Sequence, residues 1–401
     1  MRELKNDVRQ FVCIAGKNNI AVDVLEYLLQ YIRKDDLGVV CNRTEEGING
    51  FQKSLRWFAQ KEGVREYALN DMYDIENLLF FSLEFDQLVK PEKFKNARMF
   101  NIHFSMLPQY KGMYTAALPI LNGERESGVT FHRISSGIDT GDIIDQQAFR
   151  IEGLDVREVY MRCIKLGTEV VIRNLQDIIS GKEISFPQSV EGSTYYSRKS
   201  IDYRNIKIDL NQTAFGIGRQ IRAYRFREYQ LPNINGHSII DYEYTSIRSD
   251  LKPGTILFDT QESCIIATID YNLILYYDRF NELLDACRQG DIEVVHNICV
   301  VKRHINEKDK HGWTPLIVAT YYNRTEVVRF LIAHGANIYV VNNNGTTLLM
   351  YAKEAYRNTG DNSLFKLYIS LGLSKDIQDY NGFNLAHYLE RNNINLADLL
   401  K

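Results

Sequence analysis

The chain has 401 residues, enough for two or three domains, and its 45% apolar and 25% charged content is that of an ordinary globular protein. Lys and Arg number 48 against 51 Asp and Glu, a net charge of −3; that near balance argues against a broad nucleic-acid surface but leaves room for a local phosphate site. No run of 18 apolar residues marks a membrane span, the polar start MRELKNDVRQ lacks a signal peptide's apolar core, and the six cysteines show no CxxC spacing, so a cytoplasmic chain with reduced thiols, no zinc site and no disulfide framework is expected.

Residues 10–16, an apolar run ending in Gly16, read as a buried parallel strand. Helical spacing follows over 19–33, with Ile20, Val24, Leu28 and Ile32 on one stripe. Strands at 37–41, 78–83 and 98–104 alternate with helical segments at 53–61 and 91–95, the pattern of βαβ units. An open, mostly parallel sheet with helices on both faces is expected. The turn after the first strand is not GxGxxG, so a dinucleotide site is unsupported. Further expectations are a helix over 114–121, strands over 128–134 and 142–150, and a long helix over 155–180 ended by Gly181. Residues 182–278 become irregular, with a helix near 211–224 and short strands at 239–244, 255–259, 264–269 and 273–277, a small β-rich module.

The tail repeats. Gly312, Gly345 and Gly382 each close a polar turn ahead of an apolar run, 33 and 37 residues apart. The period resembles that of ankyrin repeats, a turn followed by two helices, with a four-residue insertion near 356–362. The domain expectation is therefore 1–182 catalytic, 183–278 the β-rich module, and 279–401 an all-α array of three to four repeats.

The chemistry concentrates in residues 101–142. Asn101 and His103 lie two apart behind an apolar run, so a strand points both to one face, at the end where open α/β sheets gather ligands. The imidazole can take or give a proton near neutral pH, and the amide can donate to a developing oxyanion. Asp139, in Gly137-Ile138-Asp139-Thr140-Gly141, can face the same pocket from a flexible loop. Taken singly, each of the three has an ordinary structural explanation.

The stretch resembles the formyltransferases that use N10-formyltetrahydrofolate, among them methionyl-tRNA formyltransferase. The pieces that match are Asn101-Ile102-His103, Ser105 to Pro108, Tyr110-Lys111-Gly112, Gly128-Val129-Thr130, His132 and the Gly137 to Asp142 loop, in order and spacing. The resemblance covers about residues 10–275. It implies Asn101, His103 and Asp139 as the catalytic trio, with His103 as base, Asn101 as oxyanion donor and Asp139 supporting the imidazolium. It implies N10-formyltetrahydrofolate as cosubstrate and no metal. The folate slot is expected beside Phe81, Ser82, Leu83, Phe85, Ile138 and Asp142, although plain sheet core also explains the phenylalanines.

Residues 221–232, IRAYRFREYQLP, resemble the corresponding segment of sugar N-formyltransferases rather than of the tRNA enzymes. That implies a dTDP-linked 3-amino or 4-amino dideoxy sugar as acceptor, a place in O-antigen or lipopolysaccharide synthesis, and a homodimer joined through the β-rich module. Lys111, Met113, Tyr114, Arg222, Tyr224 and Tyr229, with Arg225, are the candidate sugar-nucleotide contacts: cations for a pyrophosphate, rings for a base. A different amine, such as methionyl-tRNA, is the alternative acceptor. An ankyrin adaptor with an inactive body is the reading from another class. In the tail, Trp313 and Tyr322 with Tyr321 and Tyr351 suggest a protein partner or a second nucleotide-sugar site with Trp313 stacked on the base, against simple packing.

Overall fold

A computed structural model describes residues 10–400; the polar start on which the leader reading rests lies outside the described residues, apart from its last residue, Gln10. The chain falls into two compact units. One ends at Ile208 and resumes over Gly216–Pro232; the other holds Asp209–Phe215 and everything from Asn233 onward. The segment 183–278 thus divides between them.

The first unit is built on a seven-stranded sheet. Its strands are β1 (Phe11–Gly16), β2 (Leu37–Cys41), β3 (Arg65–Glu66), β4 (Leu78–Leu83), β5 (Ala97–His103), β7 (Glu126–Arg133) and β8 (Ile143–Arg150), after a two-residue β6 (Lys111–Gly112) that pairs elsewhere. The order is β3-β2-β1-β4-β5-β7-β8. The first five strands run parallel, and β7 and β8 return antiparallel at one edge. β1 and β4 are buried almost throughout, as the apolar runs FVCIAG and LLFFSL require.

Helices α1 (Asn18–Leu28), α2 (Leu55–Glu62) and α4 (Val156–Ser180), with the short α3 (Leu118–Asn122), pack into one core with the sheet side chains Ile14, Phe81, Phe100 and Phe131. Among the described residues the opposite face, with Cys13, Val40, Phe80 and Met99, is covered by 3-10 turns at Leu69–Met72 and Pro91–Lys93 and their loops. The helix read at 91–95 is the second of these turns. α1 ends at Leu28, and the stripe residue Ile32 lies in the turns beyond it. The helix read over 114–121 starts only at Leu118. Tyr114 takes a left-handed φ of 63° and its carbonyl accepts from both the Ala117 and Leu118 amides, so 114–117 is a turn.

α4 is the long helix expected. Asp155 caps it reciprocally with Glu158, each side chain accepting the other's backbone N–H at 2.8 Å, and Gly181 ends it in the left-handed conformation. The Asp155 carboxylate also meets the buried Arg225 at 3.1 Å, both side chains at most 5% exposed. This pair ties the residues just after α5 (Ala214–Tyr224) to the start of α4.

In the second unit β10 (Asn233–Ile234), β11 (His237–Arg248), β12 (Ile256–Asp259), β13 (Ser263–Ile266) and β14 (Tyr271–Tyr277) form an antiparallel sheet of order β10-β11-β14-β13-β12. β9 (Tyr195–Tyr196), in the first unit, pairs with β6. The repeats follow as four helix pairs: α6 (Phe280–Gln289) with α7 (Ile292–Cys299), α8 (Pro315–Tyr321) with α9 (Thr325–Ala333), α10 (Leu348–Thr359) with α11 (Ser363–Ser370), and α12 (Leu385–Arg391) with α13 (Leu396–Leu400). Asp309, Asn342 and Asp379 open three matching turns, each side chain accepting two backbone N–H groups. The insertion lengthens α10, which has 12 residues against 7 in α8.

Arg225→Ala leaves the Asp155 carboxylate buried without its cation. It is expected to destabilise the first unit by about 3 kcal/mol or more, read as a denaturation midpoint from Trp57 fluorescence in a Trp313→Phe background. A loss under about 1 kcal/mol, the range of an exposed pair, would contradict the buried ion pair.

Candidate active site

β5 delivers Asn101 and His103 to the carboxyl end of the sheet, and antiparallel pairing sets Asn101 opposite His132 on β7. The loop after β7 brings in Asp139 at a left-handed φ of 52°. Gly141 makes that loop possible: a Cβ there would stand 1.8 Å from the Arg133 carbonyl oxygen. Gly112, at φ 88°, lets its own N–H reach Asp139 Oδ2 at 2.9 Å, where a Cβ would stand 2.2 Å from the Tyr196 carbonyl oxygen.

The polar contacts define the roles. His103 Nε2 lies 2.8 Å from the Tyr110 carbonyl, which fixes that nitrogen as the N–H donor and leaves the lone pair on Nδ1, 3.5 Å from Asp139 Oδ2. His132 Nδ1 donates to the Arg133 carbonyl at 2.8 Å, so its Nε2 accepts one Asn101 N–H at 3.0 Å. The other Asn101 N–H has only a 3.5 Å contact to Asp139 Oδ1, and it is the donor left for a developing oxyanion. The Tyr110 carbonyl is itself positioned. Thr130 accepts the Leu107 N–H and donates to the Ser105 carbonyl, and Gln146 donates to both Thr130 and the Leu107 carbonyl.

Burial pushes the His103 pKa down, and Asp139 only partly offsets it, so the ring is neutral at neutral pH. Burial would raise the Asp139 carboxyl, but the neighbouring His103 and His132 rings and the Gly112 N–H outweigh it and hold it down at about 2. The site therefore pairs a neutral base with a carboxylate ready to stabilise its conjugate acid.

Asn101, His103, His132 and Asp139 line a cavity of about 900 Å³, with Ser82, Phe85, Met113 and Ile138 among its walls. Phe81 and Leu83 do not reach it with their side chains: both are fully buried, Phe81 stacked beside Phe100 and Phe131, because the helix-covered face needs them for its core. Asp142 is exposed and outside the cavity wall, its carbonyl bonded to the Arg133 amide. Lys111 is half-buried on β6 beside β9. Tyr114 and Tyr229 line a neighbouring cavity of about 370 Å³ with Lys17, Tyr203 and Phe226, and Tyr224 packs edge-on to Tyr203. The cations expected from 221–232 are committed inward: Arg225 to Asp155, and Arg222 to the Leu154 carbonyl at 3.1 Å.

Glu84 lines both cavities, half-buried, with its carboxylate bonded by Tyr160 at 2.8 Å and Asn18 at 2.9 Å and its pKa raised by desolvation. The sequence places Glu84 only within the stretch expected beside the folate slot, and His132 carries no role there. His132 stood in a matching motif, but its hold on Asn101 depends on the register of β5 against β7. In the tail Trp313 is half-buried against Tyr321 and Tyr351, ring centroids 5.3 Å away in each case, and Tyr322 lies under the Arg288 guanidinium. Among the described residues no group of three or more His, Cys, Asp or Glu is placed to hold a metal, and no helix is long and apolar enough to cross a membrane.

The formyl transferase family model matches residues 79–175, and a model of three ankyrin repeats matches 283–379. The solved structure of WlaRD, a sugar 3N-formyltransferase in the presence of dTDP and 5-N-formyl-THF, is 42% identical over 68% of this chain and 99% of its own, with a TM-score of 0.63. An N-formyltransferase from Helicobacter canadensis, in complex with folinic acid and dTDP-3-aminofucose, is 41% identical over 67% and 99%, with a TM-score of 0.62. Among curated relatives, the methionyl-tRNA formyltransferase of Fervidobacterium nodosum is 27% identical over 67% of this chain and 91% of its own length.

Both depressed pKa values carry one sign for stability. Between the unfolded and folded pKa of each group the unfolded chain binds more protons, so stability rises with pH. The contribution is whole above the ordinary His value of about 6.5, weakens below it, and weakens again below about 3.9 as Asp139 approaches its value of about 2. By NMR, the His103 ring is expected to titrate below about 6.5, and Asp139→Asn to move that midpoint lower. A His103 midpoint above 6.5 would contradict the burial argument.

Proposed function

The chain belongs to the formyltransferase family, and from that premise we propose that it moves the formyl group of N10-formyltetrahydrofolate to the amine of a dTDP-linked 3-amino-3,6-dideoxy sugar destined for a bacterial O-antigen or lipopolysaccharide. One conjunction carries the reading. The neutral imidazole, the weakly held second Asn101 N–H and the carboxylate converge on one cavity, in a body 42% identical to a sugar 3N-formyltransferase over 99% of that protein.

The sugar amine attacks the formyl carbon, and its nitrogen bonds there as the carbonyl becomes an oxyanion facing the Asn101 N–H. His103 Nδ1 takes the proton released by the amine, and Asp139 Oδ2 at 3.5 Å stabilises the resulting imidazolium. The same proton passes to N10 as the carbon–N10 bond breaks, giving the formamide and tetrahydrofolate. His132 acts through Asn101 by occupying one of its two N–H groups.

We assign the nucleotide to the neighbouring cavity, where Tyr114, Tyr203 and Tyr229 offer rings to a base and Lys17 a charge to a phosphate. Met113 lines the catalytic cavity and Tyr114 the neighbouring one, so a sugar held between them reaches His103 from that side. For assembly we propose a homodimer through the β-rich sheet. Its edge strand β12 is exposed along its whole length, Phe258 at 58%, with Leu251 and Ile269 exposed in the same sheet's loops.

The pure protein is to be incubated with N10-formyltetrahydrofolate and dTDP-3-amino sugars, dTDP-4-amino sugars or charged initiator tRNA, with tetrahydrofolate release and product mass as readouts. Formylation of a 3-amino sugar is expected. Losses of about 10²–10³ in kcat are expected for Asn101→Ala and about 10²–10⁴ for His103→Ala. Turnover with the tRNA alone would overturn the acceptor. Sedimentation should find a dimer that Phe258→Asp dissociates; a parent monomer at micromolar concentration would sink the interface.

A further inference from the structure

The sheet face without long helices carries another opening that the chemistry above leaves unused. It has a volume of about 660 Å³, and Cys41, Arg43, Arg56, Glu66, Tyr67 and Tyr73 are among its lining, at the carboxyl ends of β2 and β3. Gln87, on the loop after β4, lines both this cavity and the catalytic one. Strand register places Cys41, Gly16, Leu83 and Ile102 in one row across β2, β1, β4 and β5. Cys41 belongs to the wall of one cavity and Ile102 to that of the other. Three strand spacings separate them, about 14 Å, the scale of a p-aminobenzoyl-glutamate.

The cations around this opening are of two kinds. Arg56 is committed to Glu66, with a contact of 2.7 Å. Arg43 is 74% exposed and makes only a loose 3.4 Å pair with Asp86. Two more cations lie on the ring walls, Arg65 over Tyr67 at 4.7 Å and Lys93 over Tyr73 at 5.5 Å. Aromatic walls with cations at solvent fit a flexible chain of methylenes and amides that bears carboxylates along its length. A compact pyrophosphate would use the charges and make no use of the rings.

We propose that this cavity receives the glutamate tail of the folate, in particular a poly-γ-glutamate, while the pterin and N10 occupy the cavity over Asn101 and His103. The inference rests on the folate reading above. The tail then crosses the sheet past Gln87, and Arg43, Arg65 and Lys93 meet its carboxylates.

The test is calorimetric binding of 5-formyltetrahydrofolate as the monoglutamate and as the pentaglutamate to the full chain. The pentaglutamate is expected to bind about tenfold more tightly, the scale of one charge-assisted hydrogen bond. The advantage should shrink between about 0.05 and 0.5 M salt, as exposed charges are screened. It should fall toward one in Arg43→Glu, with an unchanged melting curve showing that the exposed substitution leaves the fold intact. Equal affinity of the two forms for the parent protein overturns the tail site. An advantage that survives Arg43→Glu, Arg65→Glu and Lys93→Glu overturns its location. Binding of neither form overturns the folate reading itself, a result distinct from the other two.

Discussion

The site depends on one desolvated carboxylate. Asp139 is mostly withdrawn from water yet stays ionised, with the Gly112 N–H at 2.9 Å and the His103 and His132 rings beside it. A buried charge of this kind persists only if its partners are held rigidly. The surrounding backbone shows what that requires. Glu84, Tyr110, Tyr114 and Asp139 all take positive φ, conformations that side-chain-bearing residues adopt at a cost when their surroundings impose them. Thr130, Gln146 and Thr194 fasten the loop that carries Tyr110, and Gln188 donates to the Asp139 and Gly141 carbonyls. Removing the carboxylate would leave a buried imidazole with no stabiliser for its protonated form.

The two faces of the sheet divide the work. α1, α2 and α4 seal one face with a continuous apolar core, which supplies the rigidity. The other face is closed by short turns and loops, and over its strand ends it opens into cavities. Phe80 and Phe81 show how the strand period makes this division. Neighbours in sequence, they belong to the two different cores.

In the second unit the repeats do not stand apart from the small sheet. The chain leaves β14 and enters α6 within three residues. His304, almost wholly buried, accepts the Arg279 N–H at 3.1 Å, and Arg303 reaches Asp241 on β11 at 3.5 Å. The first helix pair thus meets the sheet, as the open end of a repeat array requires. The rest of the array is held by its own period. The Asn343 amide bonds the His311 carbonyl and the Tyr380 amide bonds the Asn344 carbonyl, turn to next turn.

Much of this was legible in the sequence, for physical reasons. The apolar runs could only be buried strands, the alternation with helices required a largely parallel sheet, and the Gly spacing required stacked helix pairs. Asn101, His103 and Asp139 were singled out through the resemblance of their stretch to a known family, and the fold brings all three to one cavity. Other things needed the tertiary structure, because they depend on which strands are neighbours and which face a side chain takes. His132 holds Asn101 only through the register of β5 against β7. Arg225 reads as a free cation in sequence and is a buried ion pair in the fold. Phe81 and Phe85 look alike in the run FSLEF, but β4 ends at Leu83 and the left-handed turn at Glu84 sends Phe85 to the cavity wall while Phe81 stays in the core. Local pattern determines what each segment is. Long-range pairing alone decides which of its side chains meet.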